Sequence, residues 1–262
     1  MDSVAVGAYW EANAAEWTRQ SRAGLDVYRD ALNTPAFLAM LPLVEGLTGL
    51  DIGCGEGTNT RQVAARAAKM TAVDIAPTFI AHAEASEAAD PRGIDYKVAD
   101  AALLPFDEAT FDFATAFMSM MDVADQQTAL KEAFRVLKPG GFFQFSILHP
   151  CFVPPVRRNI RSANGEPVAV EIADYFRRTN GDVDTWHFSS LPKEEREGIE
   201  PFRVPRFHRT MSDWVSMCVA AGFAIEAFGE PMADEALAAR EPVVADTRIA
   251  PIFLHIRLRK QG

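Results

Sequence analysis

Near the start of the chain, Tyr9-Trp10, Asn13-Ala14 and Trp17 set large apolar residues on one side at helical spacing, which predicts a short amphipathic helix between Gly7 and Gly24. A second helix is expected with Asn33 or Thr34 as its cap, Pro35 in its first turn and Phe37, Leu38 and Leu41 on one face. From about residue 47 the pattern alternates. A strand reaches Ile52, a helix is predicted over 58–68, and a buried strand over 70–73 ends at Asp74. Pro77 opens a helix to about residue 89, and a third strand over 94–99 ends at Asp100. The apolar run 111–117 gives a fourth strand, and Asp122 is expected to cap a helix whose Leu130, Phe134 and Leu137 recur at helical spacing. Lys138-Pro139-Gly140-Gly141 suits a type II turn into a fifth strand over 142–148.

Strands alternating with helices of this length build a parallel sheet covered on both faces, a doubly wound α/β fold. Residues 150–210 break the rhythm with prolines and scattered aromatics such as Phe176, Trp186, Phe188 and Phe207, and read as a partly structured insertion serving as a lid. A helix over 211–221 and strands over 223–228 and 252–258 complete the chain. Because no full-length helix is needed between the last two strands, the final one is expected to run antiparallel. The expected organisation is one domain, with a helical cover (1–46), a ligand-binding core (47–149), a lid (150–210) and a C-terminal helix with two strands (211–262).

The first strand runs into Asp51-Ile52-Gly53-Cys54-Gly55-Glu56-Gly57, where glycines at alternate positions let the backbone turn sharply and lie close to a ligand. A dinucleotide fingerprint would want a third glycine or alanine where Thr58 stands, and no lysine follows for a Walker-type loop. Asp51 at the strand tip would repel a pyrophosphate and welcome a cation. S-adenosylmethionine, with an ammonium, a sulfonium and two ribose hydroxyls but no phosphate, meets these demands.

The run 51–57 resembles the first motif of the class I S-adenosylmethionine-dependent methyltransferases. Asp74, 17 residues past Gly57, is similar to their ribose-binding acid, and Asp100 with Ala101 to the pair they place at adenine. The Leu137-Lys138-Pro139-Gly140-Gly141 turn is similar too. The resemblance covers roughly residues 47–148, with a weaker match beyond. It implies a Rossmann-like, mostly parallel seven-stranded sheet with an antiparallel last strand, and S-adenosylmethionine as cofactor. It also implies cofactor contacts from Asp51, Gly53, Cys54, Gly55, Asn59, Asp74, Ile75, Asp100, Ala101 and Phe117. Nucleic-acid amino-methyltransferases resembling this fold carry a polar residue and two prolines after the fourth strand, where this chain has Phe117-Met118-Ser119-Met120. The nearest neighbourhood is therefore the small-molecule group that includes ubiquinone- and menaquinone-biosynthesis-like enzymes.

Charge supports that direction. A net charge of -10 over 262 residues disfavours nucleic-acid and anionic-membrane surfaces. Three widely separated cysteines give neither a disulfide framework nor a zinc site, and the absence of a long apolar run or leader points to a cytoplasmic protein without membrane insertion. Residues 151–210 hold ten Lys or Arg against nine Asp or Glu, while the rest of the chain holds 16 against 27. In this locally basic lid, Arg157-Arg158, Arg177-Arg178, Arg203, Arg206 and Arg209 are placed either to hold an anionic small-molecule substrate or to balance the lid's own acids.

Methyl transfer from a sulfonium needs two positioned reactants and, for a protonated acceptor, a base. His208, at the junction of lid and core, is the first candidate base, against a packing or capping role. Tyr175 is a second catalytic candidate, and Trp186 and Phe188 read either as lid core or as a stacking wall. His149-Pro150-Cys151 lacks the further ligands a metal would need, so no metal is expected. The rival functions are a non-catalytic S-adenosylmethionine-binding or regulatory protein and an NAD-dependent dehydrogenase.

Overall fold

The computed structural model describes the backbone of residues 1–262 and every side chain except that of Lys193. Helix α1 (Ser3–Arg22) starts earlier than the apolar pattern suggests, because the Asp2 carboxylate accepts the Ala5 N–H at 2.9 Å and caps it. A π-helical turn (Tyr28–Asn33) then runs straight into α2 (Thr34–Met40) with no side-chain cap, which corrects the expected capping by Asn33 or Thr34. Asn33 is used elsewhere, as described below.

The core follows as β1 (Thr48–Ile52), α3 (Thr58–Ala64), β2 (Lys69–Asp74), α4 (Pro77–Ala89), β3 (Asp95–Val98), β4 (Phe111–Phe117), α5 (Gln126–Val136) and β5 (Leu137–Leu148). The lid region forms two antiparallel hairpins, β6 (Val156–Arg161) with β7 (Pro167–Ala173) and β8 (Asp182–Trp186) with β9 (Phe202–Arg206). Helix α6 (Met211–Ala220), β10 (Ala224–Gly229), the short α7 (Glu235–Arg240) and β11 (Phe253–Arg259) end the chain.

The main sheet has seven strands in the order β10-β11-β5-β4-β1-β2-β3, parallel from β5 through β3, with β11 antiparallel to both of its neighbours. The chain winds from β1 outward through β2 and β3, then returns to β4 and β5 on the other side. The direction of winding therefore reverses between β1 and β4, and the crevice at their carboxyl ends is where this architecture receives a ligand. Leu50, Ile52, Phe143, Phe145 and Trp214 belong to one buried cluster, and Phe37, Val63, Met70 and Phe113 to a second.

One run of polar groups inside the sheet is paired end to end. His255 Nε2 donates to Asn33 Oδ1 at 2.7 Å, Asn33 Nδ2 reaches Ser146 Oγ at 3.4 Å, and that hydroxyl accepts the Met118 N–H at 3.1 Å. Burial pushes His255 down to about 4, so the imidazole is neutral and the chain of bonds carries no charge. It ties the π-helical turn to the end of β4, where Met118 adopts φ 57°, a costly conformation for a residue with a side chain.

The lid and α1 share an aromatic cluster. The Trp17 ring lies 5.4 Å from Trp186, 5.0 Å from Phe188 and 4.8 Å from Phe202, with Trp10 at 5.3 Å on its other side. The Asn13 side chain adds two bonds to the Arg203 backbone, at 3.0 and 3.3 Å. Each such aromatic pair contributes about 0.5–1.5 kcal/mol beyond its buried area. Trp17→Ala is accordingly expected to raise amide hydrogen exchange across 182–206 while leaving 142–148 protected, with a lower melting temperature as the accompanying sign.

Candidate active site

The turn after β1 and the strand ends beside it open into a cavity of about 600 Å³. Gly53 and Gly55 have φ of 73° and 54°, the left-handed region that favours glycine. A Cβ at Gly53 would strike Ser119 Cβ at 2.3 Å, so glycine is what lets the loop after β4 approach the turn. At Gly55, which lines the cavity, no atom lies within 4 Å of the place a Cβ would take. That vacant space against bare backbone is a cradle for a ligand.

Asp51 is fully buried. Its two oxygens accept the Thr60 hydroxyl at 2.5 Å and the Thr115 hydroxyl at 2.9 Å, and burial, outweighing those bonds, pushes the carboxyl up to about 6. Asp74 accepts the N–H of Gly55 at 2.8 Å and of Ala76 at 2.9 Å. It too is pushed up to about 6, mainly by burial. Asp100 accepts the Ala102 N–H at 2.8 Å through one oxygen, which shapes its loop and leaves the second oxygen to the cavity.

Every residue predicted to touch the cofactor lines this one cavity. Cys54 and Ile75 flank the turn and the β2 tip, and Ala101 follows Asp100. Asn59 accepts the Thr34 hydroxyl at 3.0 Å, and Phe117 packs on Phe37 with ring centres 4.0 Å apart. Three strand-end carboxylates beside a bare-backbone cradle fit a cationic ligand with ribose hydroxyls, so the donor set suits S-adenosylmethionine.

Comparison with known proteins agrees with this geometry. Residues 50–145 match the family described as a methyltransferase domain. This segment resembles a methyltransferase domain. A malonyl-[acyl-carrier protein] O-methyltransferase of Enterobacter lignolyticus is 31% identical over 134 residues, 51% of this chain and 52% of that protein. A demethylmenaquinone methyltransferase of Clavibacter sepedonicus is 34% identical over 134 residues, 51% of this chain and 54% of that one. The chain thus spans about half the length of these relatives. The crystal structure of an S-adenosylmethionine-dependent methyltransferase from Mesorhizobium loti superimposes with a TM-score of 0.68 at 29% identity, covering 86% of this chain and 96% of that one.

The far side of the cavity is built by the lid, α1 and the segment after β4. His208 is 7% exposed and lines it. Its Nε2–H donates to the Tyr175 carbonyl at 2.8 Å, so the neutral ring keeps its lone pair on Nδ1. Burial first, and then Arg206 and Arg209, hold this imidazole below its ordinary range. Tyr175 is placed differently from a catalytic group. Its hydroxyl accepts the Met211 N–H at 3.0 Å at the start of α6, and it is not among the described residues lining the cavity. Trp186 and Phe188 are lid core through the Trp17 cluster, and both also line the cavity.

The arginines of the lid all have partners within the chain. Arg157 meets Asp246 at 3.4 Å, Arg158 meets Glu171 at 3.6 Å, and Arg177 meets Asp182 at 3.0 Å. Arg178 pairs with Asp213, and Arg203 lies over Tyr9. Arg206 binds Asp184 at 3.2 Å and the carbonyls of Val153 and Pro154, and Arg209 binds the carbonyls of Thr179 and His208. Arg158, Arg177 and Arg206 balance acids of the lid itself, whereas Arg157 and Arg178 pair with acids outside it and Arg203 and Arg209 with no acid.

The structure also brings to the cavity groups that sequence reasoning missed. Glu56, buried at 5% exposure, accepts the Thr58 hydroxyl at 2.9 Å and lies 3.4 Å from Arg22 and 3.6 Å from Arg29. Its partners lie on α1 and the π-helical turn, at separations no local pattern reports. Asp122 is the second case. The α5 cap is Asp125, whose carboxylate accepts the Thr128 N–H at 3.0 Å, and this overturns the expected capping by Asp122.

Asp51 and Asp74 contribute to the pH response, beside Asp26, which also lines the cavity and is also pushed up to about 6 by burial. Because the Asp51 and Asp74 carboxyls sit at about 6, the free protein takes up protons there as pH falls, and a bound cation favours the ionised forms. Affinity for S-adenosylmethionine is expected to rise from about pH 5 to about pH 7 and level off above, by at most tenfold per unit for each carboxylate. Calorimetry across that range, in buffers of different ionisation enthalpy, reads both the affinity and the proton release.

Proposed function

We propose that this chain transfers the methyl group of S-adenosylmethionine to a small-molecule acceptor by in-line displacement beneath the lid. The observation that carries the reading is the single cavity that joins the three strand-end carboxylates to His208 and the lid aromatics. When bound, the cofactor supplies an electrophilic methyl group on a sulfonium, so the protein's share of the chemistry is positioning and exclusion of water.

In this reading Asp51 faces the methionine ammonium through the turn, Gly53 and Gly55 admit the backbone approach, and Asp74 accepts the ribose hydroxyls. Asp100 and Ala101 face adenine, with Ile75 beside the ribose and Cys54, Asn59 and Phe117 toward the methionine end. His208 Nδ1 accepts the acceptor's proton, and the Tyr175 carbonyl fixes the tautomer that makes this possible. Tyr175 thereby acts through His208. The lid hairpins and α1 keep water from the reacting atoms. A net charge of -10 supports a free small molecule rather than a nucleic acid as acceptor, in a cytoplasmic setting.

Two substitutions test this assignment. Asp74→Ala is expected to weaken S-adenosylmethionine binding by at least tenfold, about 1.4 kcal/mol, and a loss within threefold would remove the ribose assignment. His208→Ala is expected to lower kcat about 10²- to 10⁴-fold while cofactor affinity changes little. An unchanged rate and pH profile would dismiss the base.

A further inference from the structure

Among the titratable groups of the cavity, Asp122 stands apart. It ends the 3-10 turn Met120–Asp122 just after β4, is 9% exposed, and lines the cavity. Among the described residues its carboxyl has no hydrogen-bond or ion-pair partner. The other acids around the cavity each hold at least one partner: Asp51 two hydroxyls, Asp74 two backbone N–H groups, Asp26 the Arg29 N–H, Asp100 the Ala102 N–H through one oxygen, Asp184 Arg206, Asp246 Arg157, Asn159 and Tyr28, and Glu56 Thr58 and two arginines.

The guanidinium whose charge reaches Asp122 is that of Arg206 on β9, but Arg206 spends its own donors on Asp184 and on the carbonyls of Val153 and Pro154. Asp184 on β8 adds a like charge. Among the described residues no donor of the cavity wall, the indole N–H of Trp214 included, bonds the Asp122 carboxyl. Burial drives the Asp122 carboxyl well above its ordinary range, with Arg206 offsetting only part. A buried carboxyl without a partner costs free energy that an incoming cation or strong donor recovers.

We propose that Asp122 is the acceptor-recognition site, and that the acceptor carries a protonated amine which pairs with this carboxylate inside the cavity. This rests on the methyltransferase reading and narrows its substrate class. It also runs against the expectation drawn from the lid's basic residues: each of those arginines has a partner within the chain, although the buried Nε of Arg157 in the cavity wall bonds nothing, whereas among the described residues the Asp122 carboxyl has no partner at all. The amine is a handle, and the atom that receives the methyl group lies elsewhere on the acceptor or on the same nitrogen once His208 has taken its proton.

The test uses the full chain saturated with S-adenosylhomocysteine, with three probes that carry different head groups on the same phenylethyl frame: phenethylamine, 2-phenylethanol and 3-phenylpropionate. Calorimetry is expected to show phenethylamine binding more tightly than the other two. Asp122→Asn and Asp122→Ser are expected to weaken the amine by at least about tenfold, as for loss of one partner of a buried charge pair, and to leave S-adenosylhomocysteine affinity within about twofold. That retained affinity also reports that the variants fold. The proposal is overturned if 3-phenylpropionate binds as tightly as the amine, if the amine shows no saturable binding, or if its affinity survives both substitutions. Failure of the wild-type protein to bind S-adenosylhomocysteine would instead remove the methyltransferase reading.

Discussion

An ionisable group with no water around it sets the geometry of this protein. Asp51 sits at the tip of the central strand, and only the hydroxyls of Thr60 and Thr115 offset the cost of its burial. One comes from the helix after the glycine turn and the other from the neighbouring strand, so three elements meet on one carboxylate. The turn between them is thereby held in shape with or without a ligand. A site organised before binding spares the ligand that ordering cost. Asp74 repeats the device one strand over, gripping the turn through the Gly55 N–H and its own loop through Ala76.

The lid is held by a different chemistry. Its arginines, so prominent in the chain, are tied to neighbouring acids and carbonyls, which lets a proline-rich segment fold as two hairpins without a core of its own. Its apolar residues find a core on α1 instead, around Trp17. Charge gives the lid its internal shape, and aromatic packing attaches it to the protein. What remains for chemistry is what neither system uses, notably the lone pair of His208 and the carboxyl of Asp122.

Much of this was legible in the chain because strand, acid and glycine recur in register. Asp51, Asp74 and Asp100 each follow an apolar run, and a doubly wound sheet brings such positions to one edge, so local pattern became a shared site. Asp122 was misread for an equally physical reason. An aspartate just ahead of an amphipathic run satisfies the capping rule, but Asp125 satisfies it as well and three residues closer, and only the geometry of the turn Met120–Asp122 decides between them. Asn33 was likewise read as a cap, whereas its partners, Ser146 and His255, stand 113 and 222 residues away. Glu56 and its arginines, and the contact of α1 with the lid, depend on tertiary neighbours in the same way. Tyr175 looked catalytic by residue type, yet its hydroxyl is taken up by the first backbone N–H of α6.

The joint between α1 and β9 has a consequence for how the chain is made. Helix α1 is synthesised well before the residues that bury its tryptophans, Trp186, Phe188 and Phe202. Its apolar face therefore waits, uncovered, while the sheet from β1 to β5 takes form behind it. One half of the cover over the cavity is therefore made long before the other. A nascent chain stalled before residue 186 would lack the residues that bury the α1 tryptophans, and the roof over the strand-end carboxylates would still be open.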